Sequence, residues 1–311
     1  VTGGGPTGLR VIDAGLHSSV QDFGRPGRRG FGVPLQGAAD RWSLSLGNLL
    51  LGNPPDAPAL EITLRGPTVQ AVGGDVGCVV FGAPFTAAVG SRPQPPGTTF
   101  TLPRDAVLRI GGTPTGARAY LCVVGGFAAP RWAGSASAEA PVAAGDLLAC
   151  APATVGSARF AGRRIAADGT DWDSEPGVLR ALPGTHLDLF PDDAVFGPEF
   201  RVAPQADRMG VRLLGTVPAR RPAGEMLSEP VVPGTVQIPP AGRPIVLGVA
   251  AQTIGGYPRA AQVIAADVDK IGRLRPGDPV RFRRVDSAEA RRALAHKAAE
   301  LSRWVRRLRN R

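Results

Sequence analysis

The sequence predicts a mainly β protein of two related β units, with a few short helices and one helix closing the chain. Three observations carry this. Glycine (42) and proline (31) make up almost a quarter of the 311 residues, dispersed without the period of a collagen, so the chain is rich in turns. Apolar residues come in short runs between those turns, the spacing of a barrel or sandwich. The second half also repeats the grammar of the first. Ala119-Tyr-Leu-Cys-Val-Val-Gly-Gly-Phe127 is matched by Ala261-Gln-Val-Ile-Ala-Ala-Asp-Val268, and a Gly-Asp turn follows each, Gly145-Asp146 and Gly277-Asp278. With 43% hydrophobic and 20% charged residues, the chain has material for two cores.

The elements follow in order. Residues 9–13 form a short apolar strand, and the glycine-rich stretch 21–30 is a loop. Asp40 precedes Trp42, Leu44, Leu46, Leu49 and Leu50, and Gly52 and Pro54 follow, which places a helix at 40–51 with Asp40 as its N-cap. Strands are expected at 60–64, 68–72, 76–81, 85–89, 98–102, 107–110, 118–124 and 146–148. A polar, mixed region at 155–185 contains the expected interdomain connection, 168–177, which divides domains at 1–170 and 171–286. In the second domain strands are expected at 179–182, 200–202, 212–214, 235–238, 245–249, 260–265 and 279–283. Ser287-Ala-Glu-Ala opens a basic helix over 287–311, running to about Arg309, with Leu294, Leu301, Val305 and Leu308 on one stripe.

Composition excludes several functions. Of the net charge of +10, six units fall in residues 287–311, and no interleaved aromatics or nucleic-acid motif accompany them, so nucleic acid is not the expected partner. The folded-back face of a solvated helix explains this charge, and so would docking of a protein partner. Cys78, Cys122 and Cys150 form no C-x-x-C pair, and His17, His186 and His296 are scattered, so neither a disulfide framework nor a His/Cys metal site is expected. No basic leader or run of 18 apolar residues occurs, and a cytoplasmic, membrane-free protein is expected. Only Lys270 and Lys297 are lysines. No G-K-[ST] exists to hold a nucleotide phosphate, and neither lysine lies between methionines as a biotin-carrying lysine does. If ATP or tethered biotin takes part, a partner is expected to bring it.

Four stretches carry residue types suited to chemistry. In Gln21-Asp22-Phe23-Gly24-Arg25-Pro26-Gly27, glycines let backbone amides approach a ligand and Arg25 offers a planar fork for carboxylate or phosphate; a turn closed by an Asp22–Arg25 pair explains it equally. Gly32 to Asp40, with Asn48 and Asn53 beyond, places polar groups at both ends of the first helix, where capping is the plainer reading. Asp207-Arg208-Met209-Gly210 reads as a charged strand start or a site. Val232 to Pro258 contains Gln237 and then Gln252-Thr253-Ile254-Gly255-Gly256-Tyr257-Pro258, which offers amide and hydroxyl donors beside an aromatic face and suits a small planar polar ligand.

In this order these stretches, together with Leu60-Glu61-Ile62, Gly125-Gly126, Arg212-Leu213, Ser228-Glu229, Gly234, Pro239 and Pro276-Gly277-Asp278, resemble the biotin-dependent carboxyltransferase family, also called allophanate hydrolase subunit 2 or the C component of 5-oxoprolinase, and the related region of urea carboxylase. The resemblance runs from about Leu9 to Phe282. It implies two cyclophilin-like β-barrels related by a pseudo-two-fold, a smaller cyclophilin-like companion, and a third, lactam-utilising subunit with which the set hydrolyses 5-oxoproline to glutamate at the expense of ATP. It further implies Arg25, Asp40, Arg208, Gln252 and Thr253 as catalytic residues, Asp22 or Asp40 positioning the arginines. Gln21, Asp22, Asn48, Glu61, Ser228, Gln237, Gly255, Gly256 and Tyr257 are implied as substrate contacts, with no metal. Such donors suit the anionic centre formed when a lactam carbonyl is attacked. A carboxybiotin reaction, as in the urea carboxylase relatives, asks for similar equipment.

The chain departs from the family pattern at particular places. Ala250 stands where relatives carry Asp, Ile254 where they carry a second Thr, Ala136 replaces an arginine in Gly134-Ser135-Ala136-Ser137, and Arg273 replaces a Gln. The expected function is a non-autonomous 5-oxoprolinase subunit; the alternatives are carboxyl transfer in a urea carboxylase-like system and an impaired subunit that captures a kinase-inhibitor-like companion.

Overall fold

A computed structural model describes residues 6–153, 162–165, 175, 177–191, 194–215, 217, 219–221 and 226–309. The chain divides into two compact units. One comprises Val1–Gly24, Arg41–Thr170 and Ser302–Arg311, the other Arg25–Asp40 and Asp171–Leu301. The connection expected at 168–177 lies, apart from Glu175 and Gly177, outside the described residues.

The first unit holds β1 (Gly8–Asp13), β2 (His17–Gln21), α1 (Arg41–Leu50), β3 (Ala59–Thr63), β4 (Thr68–Val72), β5 (Val76–Gly82), β6 (Ala87–Val89), β7 (Arg92–Pro93), β8 (Phe100–Leu102), β9 (Val107–Ile110), β10 (Arg118–Val123) and β11 (Leu147–Ala149). These strands divide between two sheets, β11-β1-β4-β9-β6-β7 and β2-β3-β10-β5-β8. Both sheets feed one core that includes Leu9, Val11, Leu60, Ile62, Val69, Leu108 and Leu121. Strand β2 was not expected because its sequence, HSSVQ, is polar. It is nevertheless buried and pairs along its length with β3, from His17 opposite Thr63 to Gln21 opposite Ala59.

Apart from Arg118 and Tyr120, strands β5 and β10 are apolar because both their faces are covered. Alternate residues Cys78, Val80, Ala119, Leu121 and Val123 enter the shared core. The side chains between them meet α1, whose residues from Trp42 to Leu50 are all buried. The approach is so close that a Cβ on Gly47 would stand 2.8 Å from Cys122 Sγ and 3.1 Å from Phe81 Cβ. A mid-helix glycine costs about 1 kcal/mol relative to alanine, and here contact between helix and sheet requires it.

The second unit holds β12 (Val178–Pro183), β13 (Glu199–Val202), β14 (Gly210–Leu214), β15 (Glu229–Pro230), β16 (Thr235–Gln237), β17 (Ile245–Leu247), β18 (Ile254–Gly255), β19 (Arg259–Val263), α2 (Val268–Arg273), β20 (Pro279–Arg284) and, up to Leu301, α3 (Ser287–Arg309). Seven strands close a barrel in the order β12-β19-β16-β17-β14-β13-β20, while β15 and β18 form a separate two-stranded ribbon. Closure comes from β20, which pairs parallel with β12 and antiparallel with β13. Phe200, Phe282, Leu179, Val236, Val246 and Val280 fill the barrel, with the two phenylalanine rings 5.9 Å apart.

Helix α3 spans the expected residues, and Leu301, Val305 and Leu308 of the expected stripe are half-buried, but its first member is not. Leu294 is 47% exposed, whereas Lys297 and Glu300 are buried. Lys297 donates to Asp269 at 2.6 Å and to the carbonyl of Ala266 at 2.7 Å. A pair of matched polar groups can therefore occupy a position that hydrophobic patterning assigns to leucine. Among the described residues no helix is long and apolar enough to cross a membrane.

The repeated Gly-Asp turns are the same structure in each unit. Gly145 and Gly277 have φ of 95° and 91°, a left-handed conformation suited to glycine at the third position of a turn. Asp146 accepts from the N–H of Ala143 at 2.8 Å, and Asp278 from that of Arg275 at 3.0 Å. Gly145 N–H donates to Val11 and Gly277 N–H to Val202, both at 2.8 Å. In return the Val11 and Val202 N–H groups donate to Asp146 and Asp278, both at 2.9 Å.

Candidate functional site

In the first unit the predicted residues lie in separate polar networks. Asp22, 4% exposed, receives Ser135 Oγ at 2.5 Å, Ser137 Oγ and the Ala136 and Gly24 N–H groups at 2.7 Å each. Burial alone would raise the pKa of this carboxyl; the hydrogen bonds from Ser135, Ala136, Ser137 and Gly24 outweigh that and hold it below its ordinary value. The turn pair expected between Asp22 and Arg25 is replaced by this cradle, and the cation beside the carboxylate is Arg131, at 3.6 Å. The two serines of Gly134-Ser135-Ala136-Ser137 thus serve Asp22 directly.

Gln21 donates to Ser19 Oγ and to the Ala138 carbonyl. Asn48 donates to the Ala57 carbonyl and accepts from Asn53, which in turn donates to the Val123 carbonyl, tying the end of α1 to the end of β10. Glu61, 1% exposed, accepts from Tyr120 Oη at 2.7 Å and lies 3.5 Å from Arg118 Nε, across the β3–β10 pairing. These contacts account for the burial of all four predicted residues. A cavity of about 390 Å³ lined by Thr7, Asp75, Gly77 and Cys150 contains none of the predicted residues, and burial pushes the Cys150 thiol up to about 12.

In the second unit the predicted stretches converge. Segment 25–40 is bound to the barrel by Gln36 N–H donating to the Val249 carbonyl at 2.9 Å, and Arg208 donates to the Gly37 carbonyl at 2.6 Å. Ala250 N–H returns a bond to the Arg208 carbonyl at 3.0 Å. Arg29 clamps the two arms of the ribbon region, donating to Val231 at 2.6 Å, to Gln252 at 2.7 Å and to Ala251 at 3.4 Å. Arg25 is 5% exposed, and its N–H donates to the Leu35 carbonyl. Asp40, 1% exposed, accepts from Arg273 Nε at 2.6 Å, so the arginine that departs from the family pattern is the partner of a buried predicted carboxylate.

The ribbon carries most of the remaining predicted groups. Glu229 pairs with Gly255 and Pro230 with Ile254. Gln252 and Ser228 are exposed, Thr253, Gly255 and Gly256 are half-buried, and Tyr257 is 45% exposed. Gln237 lies beneath. It is 1% exposed, and a Cβ on Gly255 would come within 2.6 Å of its Nε2. Sequence reasoning missed Arg29, Glu229, Arg259 and His186. Arg29 stood beside Arg25 in the same glycine-rich loop, Glu229 beside Ser228, and Arg259 directly after the Gly-Gly-Tyr-Pro turn. His186 carried no local signal.

The arrangement is a set of fixed hydrogen-bond donors and turn amides beside an exposed aromatic ring, suited to a planar polar molecule. The family profile described as carboxyltransferase domain, subdomain A and B, matches residues 31–284. The chain belongs to this family. The C component of 5-oxoprolinase from Haemophilus influenzae is 34% identical over 91% of this chain and 93% of its own length. The crystal structure of TTHA0988 is 37% identical, with a TM-score of 0.78 over 89% of this chain; the match spans only 56% of that longer chain. The Kluyveromyces lactis urea carboxylase shares the fold, with a TM-score of 0.85 over 96% of this chain and 29% of that one at 24% identity.

Both lysines of the chain already have partners within it. Lys270 lies 4.0 Å from Asp267 and donates to the Val178 carbonyl, while Lys297 is bound to Asp269 and Ala266. Both lysines are engaged, so the chain's own lysines do not fit a nucleotide phosphate. Among the described residues no three His, Cys, Asp or Glu side chains gather as a metal site.

Proposed function

We propose that the protein is a non-autonomous subunit of an ATP-dependent 5-oxoprolinase, working in the cytoplasm with a smaller cyclophilin-like companion and a third, lactam-utilising subunit. The likeness to the C component of 5-oxoprolinase along nearly the full length of both chains carries this reading. ATP is assigned to a partner because both lysines are already committed. In this reading Arg25, Arg208, Gln252, Thr253 and the amides of Gly255 and Gly256 orient the lactam and hold negative charge as it develops on the carbonyl oxygen. Tyr257 supplies a flat apolar wall, and Asp40 fixes Arg273.

The test is purification with both companion subunits and measurement of glutamate released from 5-oxoproline and ATP. Turnover by the full set and none by this chain alone is expected; no turnover from a folded, complete set would overturn the proposal. The family description as a carboxyltransferase supports a second reading, carboxyl transfer from a biotinylated partner to urea. Urea-dependent turnover that requires such a partner would favour it.

A further inference from the structure

In the second unit Gln237 Nε2 and Arg259 Nε are buried nitrogen donors with no acceptor among the described residues. They are direct cross-strand neighbours, since Gln237 of β16 is the register partner of Arg259 of β19. The register shifts between Val236 and Gln237, so it is their contacts with the β15–β18 ribbon, rather than regular pairing, that put both side chains on one face. The β15–β18 ribbon packs over this face. Gly255 lies against the Gln237 amide, and Arg259 uses its terminal nitrogens to hold the other ribbon strand, donating to the Pro230 carbonyl at 3.1 Å and closely to Glu229. His186 completes the group. Its Nδ1 accepts the Arg259 backbone N–H at 3.2 Å, and its Nε2 lies 3.9 Å from Glu229.

A buried donor without an acceptor is costly, and two side by side mark a place where an acceptor is supplied from outside. The charge of Arg259 is already matched by Glu229, so the missing group is a neutral acceptor rather than a second carboxylate. A carbonyl oxygen has two lone pairs and can take both N–H groups. Glu229, half-buried beside them, can accept an N–H next to that carbonyl. We propose that Gln237 and Arg259 form a two-donor seat for the carbonyl oxygen of a cis-amide edge, as in a lactam or a urea, with Glu229 receiving the adjacent N–H and the ribbon as its roof. Gly255 is glycine because any side chain there would push the Gln237 amide out of the seat. The inference deepens the proposed function and rests on it for the identity of the physiological ligand.

The experiment is NMR of the full chain, following the side-chain NH₂ signals of Gln237 and the Nε–H signal of Arg259 during titration with 2-pyrrolidinone, which has the amide edge and no carboxylate. Both signals are expected to move together. N-methyl-2-pyrrolidone, lacking the N–H, should bind about tenfold more weakly, and Gln237→Glu, isosteric but without the donor, should weaken 2-pyrrolidinone by about tenfold. Gly255→Ala should do the same by displacing the amide. Urea in place of the lactam tells the two sources of the edge apart by which binds more tightly. The seat is overturned if neither signal moves, if acetate moves them as much as the lactam, or if a crystal structure shows a water bridging both nitrogens that the lactam does not displace. Movement of both signals together with no glutamate release by the complete set would sink the proposed function and leave the seat standing. Turnover with an unchanged KM in Gln237→Glu would do the reverse.

Discussion

Replacing Asp22 by Asn tests whether the cradle around this carboxylate is built for charge. Oδ1 accepts from Ser135, Ser137 and Gly24, and Oδ2 accepts from Ala136. An asparagine that keeps its oxygen at the Oδ1 position turns its NH₂ toward the Ala136 N–H, and two donors then face each other in a site only 4% exposed. The serine hydroxyls can rotate to compensate, but the backbone N–H cannot. Leaving that N–H unpaired costs about 1–3 kcal/mol, and three charge-assisted bonds become neutral, so a loss of about 3 kcal/mol at pH 7 is expected. That corresponds to roughly 6–12 °C in Tm. The variant also predicts a change with pH. Because the folded-state pKa is depressed, the stabilisation from Asp22 is complete above the unfolded value of about 3.9 and is lost as pH falls through the lower folded value. Urea unfolding of both proteins from neutral pH downward should show a gap that is constant above the unfolded value and narrows below it. A variant within about 0.5 kcal/mol of the parent at pH 7, or one with the parent's acid slope intact, would refute the reasoning.

Other perturbations have equally definite outcomes. Gly47→Ala should destabilise the first unit despite better helix propensity, because the new methyl meets Cys122 Sγ at 2.8 Å, and adding Cys122→Ala should restore at least half the loss in thermal unfolding. Arg273→Gln, which restores the residue of the family pattern, should cost about 1–3 kcal/mol in urea unfolding by weakening the hold on buried Asp40, less than a fully buried pair since Arg273 is 28% exposed. Cys78 and Cys122 are buried, and burial raises all three thiols, so a thiol reagent at pH 8 should label at most Cys150 until denaturant is added. Rapid labelling of two or three thiols in the folded protein would contradict the packing of α1 on β5 and β10.

What the sequence disclosed depended on whether a residue's surroundings were local. The leucines after Asp40 mark a helix by their own spacing, and α1 begins one residue after it. The short strands were legible because they alternate apolar stretches with turns. Strand β2 was hidden because Ser18, Ser19 and Gln21 are buried through hydrogen bonds to Ala14, Ser19 and Ala138, which no hydropathy pattern records. Helix α2 was hidden for the same reason, with Asp269 and Lys270 buried among ionic partners. Leu294 misled because Lys297 and Glu300 took the buried face of α3. For the candidate site, the Gly-Gly-Tyr-Pro stretch stood out by residue type. Glu229, Arg259 and His186 are separated by at least 30 positions, and only strand register and a backbone hydrogen bond bring them together.

Segment 25–40 belongs to the second unit although its flanks on both sides belong to the first. A ribosome therefore releases Arg29 and Gln36 long before Val231, Val249 and Gln252, the residues whose carbonyls they bind. The early strands can pair among themselves while this stretch waits, unpaired, for roughly two hundred more residues of synthesis. Cutting the gene at residue 170 would not yield two self-sufficient products, because the later piece would lack the strap that staples its ribbon in place.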